Sequence, residues 1–388
     1  MPIWSLHARS FSLLNDAFMV LLRKNNAPTT LKDFRPIALI HSFGKLFAQC
    51  LARRLRPRLN EMVAHNQSAF IKRRATVHLA CRWLNSKKFP SLLLKLDIAK
   101  AFDSVGWPFL LEVLQHIGFS RRWVNWISIL LSTASMCVLV NGRLGRRISH
   151  VRGLRQGDPI SLMLFVLVME VLNSLIREAD CRAAMSPLPG QVVVHRASLY
   201  ADDLVILLAP NADDLNCLTQ ILQLFAGAFG LVSNPKKCIA TPICCDNETI
   251  TTIQSVLLCT VSNFPCKYLS VPLSLKRLSC ADEQPLIDVV AARIPTWKAW
   301  LLTNAGRVTL TGSTLAAIPI HLSIACCLSS WAISQIDKRR RAFIWTGNDY
   351  CIGGKCHLAW PMVCKPTELG GLGPIDLRVF GYALRLRW

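Results

Sequence analysis

The stretch Arg196-Ala197-Ser198-Leu199-Tyr200-Ala201-Asp202-Asp203-Leu204-Val205-Ile206-Leu207-Leu208-Ala209 decides how this chain is read. Two apolar runs flank an acidic pair. The pattern predicts strand, tight turn and strand, with Tyr200-Ala201-Asp202-Asp203 as the turn. Adjacent carboxylates in such a setting are costly, because like charges repel and apolar neighbours strip part of their hydration. Asp is also an ordinary turn residue, and most Asp-Asp pairs are simply solvated. The chain supplies its own control: Asp213-Asp214 reads as the first turn of a helix, where acids suit the dipole. Two things set the 202–203 pair apart, its apolar flanks and a second acid far upstream. Asp97 ends the run Ser91-Leu92-Leu93-Leu94-Lys95-Leu96, which predicts a buried strand.

Working outward, 152–159 (Arg-Gly-Leu-Arg-Gln-Gly-Asp-Pro) is a loop by composition and opens an apolar helix over about 160–178. Asn141-Gly142 predicts a hairpin turn within 136–151. Helices are expected over about 108–116, closed by Gly118, and over 213–229. The second turns Leu215, Leu218, Leu222 and Phe225 inward and is capped by Gly230. A helical pattern over 44–59 places Leu46, Phe47, Cys50, Leu51 and Leu55 on one side, and Pro57 should end or bend it. A composition change over 240–265 suggests a boundary. A basic, helical, Trp-containing region follows over about 280–345, and then a Gly-rich stretch, 346–388.

The chain has 388 residues and is 52% hydrophobic, which excludes general disorder. Its net charge of +22 calls for a polyanionic partner, nucleic acid first and an anionic membrane second. The apolar stretches 127–140 and 162–175 are too short or too polar to span a bilayer. Sixteen cysteines without a CxxC pair or a secretory signal read as reduced thiols inside a cell. A zinc site from Cys351, Cys356, His357 and Cys364 is conceivable, but the spacing fits no standard pattern, and ordinary cysteines are the default. Three carboxylates in strand-end settings suit hard divalent cations. Two Mg²⁺ ions about 4 Å apart can activate a 3′-hydroxyl and stabilise a leaving pyrophosphate.

The ordered motifs resemble the reverse transcriptases of plant non-LTR (LINE-type) retrotransposons. Residues 96–103 (Leu-Asp-Ile-Ala-Lys-Ala-Phe-Asp) resemble the family's first catalytic motif, 152–159 its template- and nucleotide-positioning motif, and 200–203 its second catalytic motif. Residues 33–37 and 66–72 resemble finger motifs. Residues 230–237 and 268–273 resemble later palm motifs, and 359–360 and 368–373 the C-terminal region. The resemblance implies an α+β right-hand polymerase with fingers, an antiparallel palm and a helical thumb. The implied division is an N-terminal remnant (1–27), fingers and palm (28–275), thumb (276–345) and a C-terminal connector (346–388). It implies that Asp97 and Asp202 bridge two Mg²⁺ ions, with Mn²⁺ as a substitute. Asp203 and the Ile98 carbonyl would complete the ligands. Phe102 would lie under the incoming sugar and reject a 2′-hydroxyl, although a core aromatic is the plainer reading. Gln156 and Gly157 would meet the base pair, and Lys72 and Arg74 the triphosphate. Lys237 would protonate the leaving pyrophosphate, with Lys236 one position away. Lys338-Arg339-Arg340-Arg341 would grip the duplex backbone.

The implied partners are an RNA template, a DNA primer and deoxynucleoside triphosphates, with no membrane. The implied location is intracellular, the nucleus for a working element. Arg73, Leu162 and Ser270 depart from the family pattern; at 73 and 270 it has Gly. The chain starts just before the fingers, without an upstream endonuclease domain, and stops before a Cys/His region, so it reads as a fragment or truncated copy. The alternative is an inactive nucleic-acid-binding remnant, and a maturase-like splicing cofactor ranks third.

Overall fold

Leu92, Leu93, Leu94 and Leu96 are all buried, so the strand they form is covered on both faces and takes the centre of a sheet. The computed structural model describes residues 11–12, 14–24, 27–67, 76–188, 193, 195–294, 301–351 and 354–387. They pack as two units, the first from the described residues of 1–72 and 88–262, the second from those of 73–87 and 263–388.

The first unit opens with β1 (Asp16–Arg23), β2 (Phe34–Ile40) and α1 (Ser42–Met62). The next helix, α2 (Thr76–Ser86), belongs to the second unit. Then come β3 (Ser91–Leu96), α3 (Ala101–Ser104), α4 (Trp107–His116), α5 (Arg121–Ser132), β4 (Ser135–Val140), β5 (Arg143–Ser149) and α6 (Ser161–Cys181). The unit closes with β6 (Ala197–Tyr200), β7 (Asp203–Leu208), α7 (Ala212–Phe229), β8 (Ile239–Ile243), α8 (Asn247–Leu257) and β9 (Thr260–Val261). Two sheets result, with strand orders β2-β1-β4-β5 and β6-β7-β3-β8-β9. In the second, each neighbouring pair from β6 through β7 and β3 to β8 is antiparallel. One face of that sheet, with Leu92, Leu94, Leu96, Leu204, Ile206 and Leu208, shares a core with residues of α4 to α7. The class is α+β.

Local signals account for most boundaries. Asn141 (φ 50°) and Gly142 (φ 78°) are both left-handed, as a two-residue hairpin loop requires. Gly230 (φ 74°) closes α7. Pro57 is the exception: α1 continues through it to Met62. Pro57 and Arg53 lie on the exposed side, where water can hydrate the carbonyl that lost its partner. Asp213 and Asp214 do lie in the first turn of α7, but only one of them is solvated. Asp213 is exposed, but Asp214 is buried, accepts from Ser186 N and Oγ at 2.8 Å, and pairs with Arg196 at 3.5 Å.

In the second unit β10 (Cys266–Tyr268) and β11 (Val271–Leu273) form a hairpin whose turn residues, Leu269 (φ 50°) and Ser270 (φ 64°), are left-handed. Ser270, where the family has Gly, therefore holds a conformation glycine would adopt without strain. Helices α9 (Cys280–Ala292), α10 (Asn304–Leu310), α11 (Ile320–Ala325), α12 (Ser330–Thr346), α13 (Trp360–Val363) and α14 (Leu377–Arg387) follow. Ile287, Val290, Leu315, Ile336, Phe343 and Leu377 form its main core. The break after Ser262 and the inclusion of α2 differ from a continuous 28–275 body. The side chains of α2 explain this: Arg82 Nε donates to the Ser274 carbonyl at 3.1 Å, and His78 Nδ1 lies 3.8 Å from Cys326 Sγ.

His78 gives the second unit a pH signature. Burial, then the nearby Arg82 cation, pushes its pKa down to about 4. Folding therefore favours the neutral ring. The stabilisation is full above the ordinary value near 6.5 and is lost as pH falls from there towards 4. We expect a loss of roughly 3 kcal/mol across that window, flattened in His78→Phe. Denaturant melts at stepped pH measure it; no difference between the two proteins would remove His78 as the cause.

Lys338-Arg339-Arg340-Arg341 does not form a solvent-facing grip. Arg340 is fully buried, pairs with Asp337 at 2.8 Å, donates to the Ile375 carbonyl at 2.9 Å and stacks on Trp360 at 5.0 Å. Arg339 and Arg341 bond the Gln335 and Cys356 carbonyls, and Lys338 is the exposed member. A helix rotates successive residues by about 100°, so a run of four cannot share one face. Arg340→Ala would leave the half-buried Asp337 without its cation, with an expected cost of about 3 kcal/mol in a denaturant titration. A cost below that of Lys338→Ala would refute this role.

Candidate active site

The β3–β7 ladder ends with the pairs Lys95↔Val205 and Leu96↔Leu204. One more step along this register sets Asp97 level with Asp203. Side chains alternate along strands, so both acids share a face with Lys95 and Val205, opposite the Leu96–Leu204 face that packs on the helices. Asp202 stands exposed in the β6–β7 turn, which Ala201 closes at φ 54°. Asp203 carries the strain of this arrangement. Burial pushes its carboxyl pKa up, Lys95 pulls it down, and the Asp202 and Asp97 charges push it up again.

Residues 232–238 hold Asp97 from the other side. Asn234 N donates to the Asp97 carbonyl at 2.8 Å, and Ala99 N to the Val232 carbonyl at 2.9 Å. These two bonds bracket the Ile98–Ser233 bridge. In an antiparallel pair that pattern turns the bracketed residue's own N–H and C=O away from its partner. The Ile98 carbonyl thus faces the β7 side of β3. Lys237 Nζ lies 3.8 Å from Asp97 Oδ2, with the lysine largely exposed. Lys236, also exposed, forms no ion pair among the described residues.

The 152–159 loop is tied to this region through α3 and β2. Leu154 N donates to the Phe102 carbonyl (2.6 Å), Gly153 N to the Val105 carbonyl (2.8 Å), and Trp107 Nε1 to the Gly153 carbonyl (2.8 Å). Ala38 N donates to the Gln156 carbonyl at 3.1 Å. Gly157 (φ 102°) is exposed beside Ala38. A cavity of about 210 Å³ lies here, lined by Ala38, Asp103, Met136, Arg152 and Gln156 among others. Phe102 is half-buried and stacks on Phe165, ring centroids 4.5 Å apart. That contact is the one a core aromatic makes.

Three contributors escaped the sequence reading. Arg155 and Asp158 are a buried pair (3.2 Å), and Arg155 also holds the Asn15 carbonyl at 2.8 Å, fixing the loop on the segment before β1. Gly153 packs directly on the Asp103 backbone. Lys95 had a signal: a lone charge in an apolar run, two residues from Asp97 and so on its face. Lys72 and Arg74 lie outside the described residues. Cys351 and Cys356 thiols are 3.8 Å apart. Among the described residues no three His, Cys, Asp or Glu side chains converge as a metal cluster, so the 351–364 zinc grouping is not formed.

The same statement covers the carboxylates. Their donor chemistry nevertheless suits a hard cation: neighbouring carboxylate oxygens, of which Asp203 is pushed up by burial and then by the Asp202 and Asp97 charges, and the Ile98 carbonyl turned toward β7. Mg²⁺ keeps several waters and is commonly held by one or two carboxylates plus substrate phosphates. A fully closed protein cage is therefore not required.

The family described as reverse transcriptase (RNA-dependent DNA polymerase) matches residues 22–273. This chain belongs to the reverse transcriptase family. The α+β fold is that of the right-hand polymerases. This reverse transcriptase-family chain is 26% identical over 400 residues to the transposon TX1 uncharacterized 149 kDa protein of Xenopus laevis, covering 96% of the chain and 28% of that protein. It is 32% identical over 147 residues to the Pol polyprotein of the type-1 retrotransposable element R2 of Popillia japonica, covering 38% and 23% respectively. The chain thus spans about a quarter of the length of these relatives. A solved apo telomerase from Candida tropicalis is similar over 87% of the chain and 64% of its own, with TM-score 0.47 at 10% identity. No helix among the described residues is long and apolar enough to cross a membrane.

Proposed function

We propose that this chain is an RNA-directed DNA polymerase of the non-LTR retrotransposon type, extending a DNA 3′-end on an RNA template. One observation carries the reading. In a chain of this family, Asp97 and Asp203 stand level at the ends of the paired strands β3 and β7, with Asp202 exposed in the adjoining turn and Lys237 Nζ 3.8 Å from Asp97. Asp97, Asp202 and Asp203, with the Ile98 carbonyl, would hold divalent cations. When bound, these supply charge neutralisation for phosphoryl transfer and acidify the primer hydroxyl.

The chain's own residues do the rest. Phe102, braced by Phe165, sets the floor under the sugar and excludes a 2′-hydroxyl by volume. Gln156 and Gly157, held against β2, meet the nascent base pair. Lys237 Nζ, next to Asp97, is placed to give a proton to the leaving pyrophosphate. Lys72 and Arg74 take the triphosphate on the strength of the sequence resemblance. Residues 276–345 serve as thumb, with Lys338 as the exposed cation of its basic run.

The test is primer extension by the purified chain on an RNA template with a DNA primer, deoxynucleotides and Mg²⁺. Incorporation that chelator abolishes supports the reading. Salt-sensitive RNA binding with no incorporation would overturn it in favour of an inactive remnant.

A further inference from the structure

We propose that Cys238 is a positioning residue for Asp97: its buried thiol replaces the strand partner that the Asp97 N–H lacks. The proposal rests on the reading of Asp97 as a cation-holding carboxylate and adds how that carboxylate is kept in place. The β3–β8 ladder runs in register from Ser91↔Ile243 to Lys95↔Ile239. Two further steps would bring Lys237 opposite Asp97. The Asp97 carbonyl faces this side, since it accepts from Asn234 N, and in an extended strand the N–H of the same residue faces the same way. A regular ladder would offer that N–H the Lys237 carbonyl.

The chain does not stay extended there. Lys237 N and Cys238 N both donate to the Asn234 carbonyl at 3.0 Å, so residues 234–238 form a turn and the ladder stops. The position is filled instead by Cys238 Sγ, which receives the Asp97 N–H at 3.4 Å and lies 4.0 Å from the Asp97 carbonyl. Cys238 is 3% exposed, which leaves little room for water to take that place. An unmatched amide here would be costly. The turn that brings Lys237 to Asp97 is therefore the turn that removes the backbone acceptor, and Cys238 repairs the loss from the next position in sequence.

The plainer role is packing, because Cys238 also lines an apolar cavity of about 230 Å³ with Leu96, Leu222, Val232 and Leu257. Isosteric substitutions separate the two roles. Cys238→Thr offers an oxygen acceptor and Cys238→Val has the same shape without one. Cys238→Ser and Cys238→Ala repeat the comparison at smaller volume, in case β-branching disturbs the fold.

Three measurements apply to all four: hydrogen exchange of the Asp97 amide, Mn²⁺ binding by electron paramagnetic resonance, and primer extension resolved into kcat and KM for deoxynucleotide. Thr and Ser should stay near the natural protein. Val and Ala should exchange Asp97 faster, bind Mn²⁺ about tenfold more weakly and lose about tenfold in kcat, as outer partners of metal-holding groups typically do, with KM little changed. Equal exchange in Val and Thr, and in Ala and Ser, would overturn the proposal and leave Cys238 as packing. A natural protein that neither binds Mn²⁺ nor extends primers, while its variants still differ in exchange, would instead overturn the polymerase reading.

Discussion

Asp202→Asn is expected to lower primer extension by a factor on the order of 10²–10³, the scale seen when one preorganised charge-stabilising group is removed from an active site. Asn keeps the shape of Asp and tolerates a turn as readily, so the β6–β7 hairpin should form as before. What disappears is the charge of an exposed carboxylate beside Asp203. The fold should, if anything, gain, because the Asp202 charge is one of those pushing the Asp203 carboxyl up. The expected signature is thus split: activity lost, melting temperature equal or higher. Activity retained at the natural level would remove Asp202 from the chemistry. Activity lost along with the melting transition would mean the hairpin depends on the carboxylate, contrary to its exposed position.

Gly153→Ala should be the most damaging single methyl in the first unit. A Cβ there would stand 2.6 Å from the Asp103 carbonyl oxygen and 2.8 Å from its carbon, both backbone atoms that cannot swing aside. The position is also left-handed, at φ 83°. Left-handed strain of about 1–2 kcal/mol and overpacking of about 1–3 kcal/mol together give an expected loss near 4 kcal/mol. Gly142→Ala is the control, with φ 78° and open space around it, and should cost only about 1 kcal/mol. Denaturant titrations of both variants decide the matter; a Gly153→Ala loss no larger than the control would show that the loop can move off α3. On the proposed function, residual folded Gly153→Ala should also polymerise poorly, because the bonds from Gly153 and Leu154 to Val105 and Phe102 tie the loop to the segment after Asp97.

Much of this unit was legible because its signals are local. An apolar run ending in Asp97, an acidic turn between apolar strands, Asn-Gly between 136 and 151, and Gly230 after an amphipathic stretch each fix structure within a few residues. The four-stranded sheet was not legible. Its β1 lies parallel to β4, pairing Ala17 with Met136, and strands so far apart in sequence leave no periodic trace. Charges were the other failure. Asp214 and Arg340 look like solvated surface in a linear reading, yet both are buried against partners supplied by distant segments, Ser186 and Arg196 for one and Ile375 and Trp360 for the other. Lys237 is the converse case. The linear reading left it level with Lys236, and in the structure it is Lys237 whose Nζ lies 3.8 Å from Asp97.

The path of the chain through α2 has a practical consequence for dissecting the protein. The described chain passes between the two units somewhere between 67 and 76, at 87–88 and at 262–263. A fragment starting at Asn263 would lack the helix that covers Cys326 and bonds the Ser274 carbonyl. A fragment ending at Ser262 would carry that helix with Ala80, Cys81 and Leu84, all buried in the full chain, stripped of their cover. Neither half can be excised by a single cut. Bringing 73–87 and 263–388 together on one polypeptide, by a new linker or a permuted order, is the way to obtain the second unit alone.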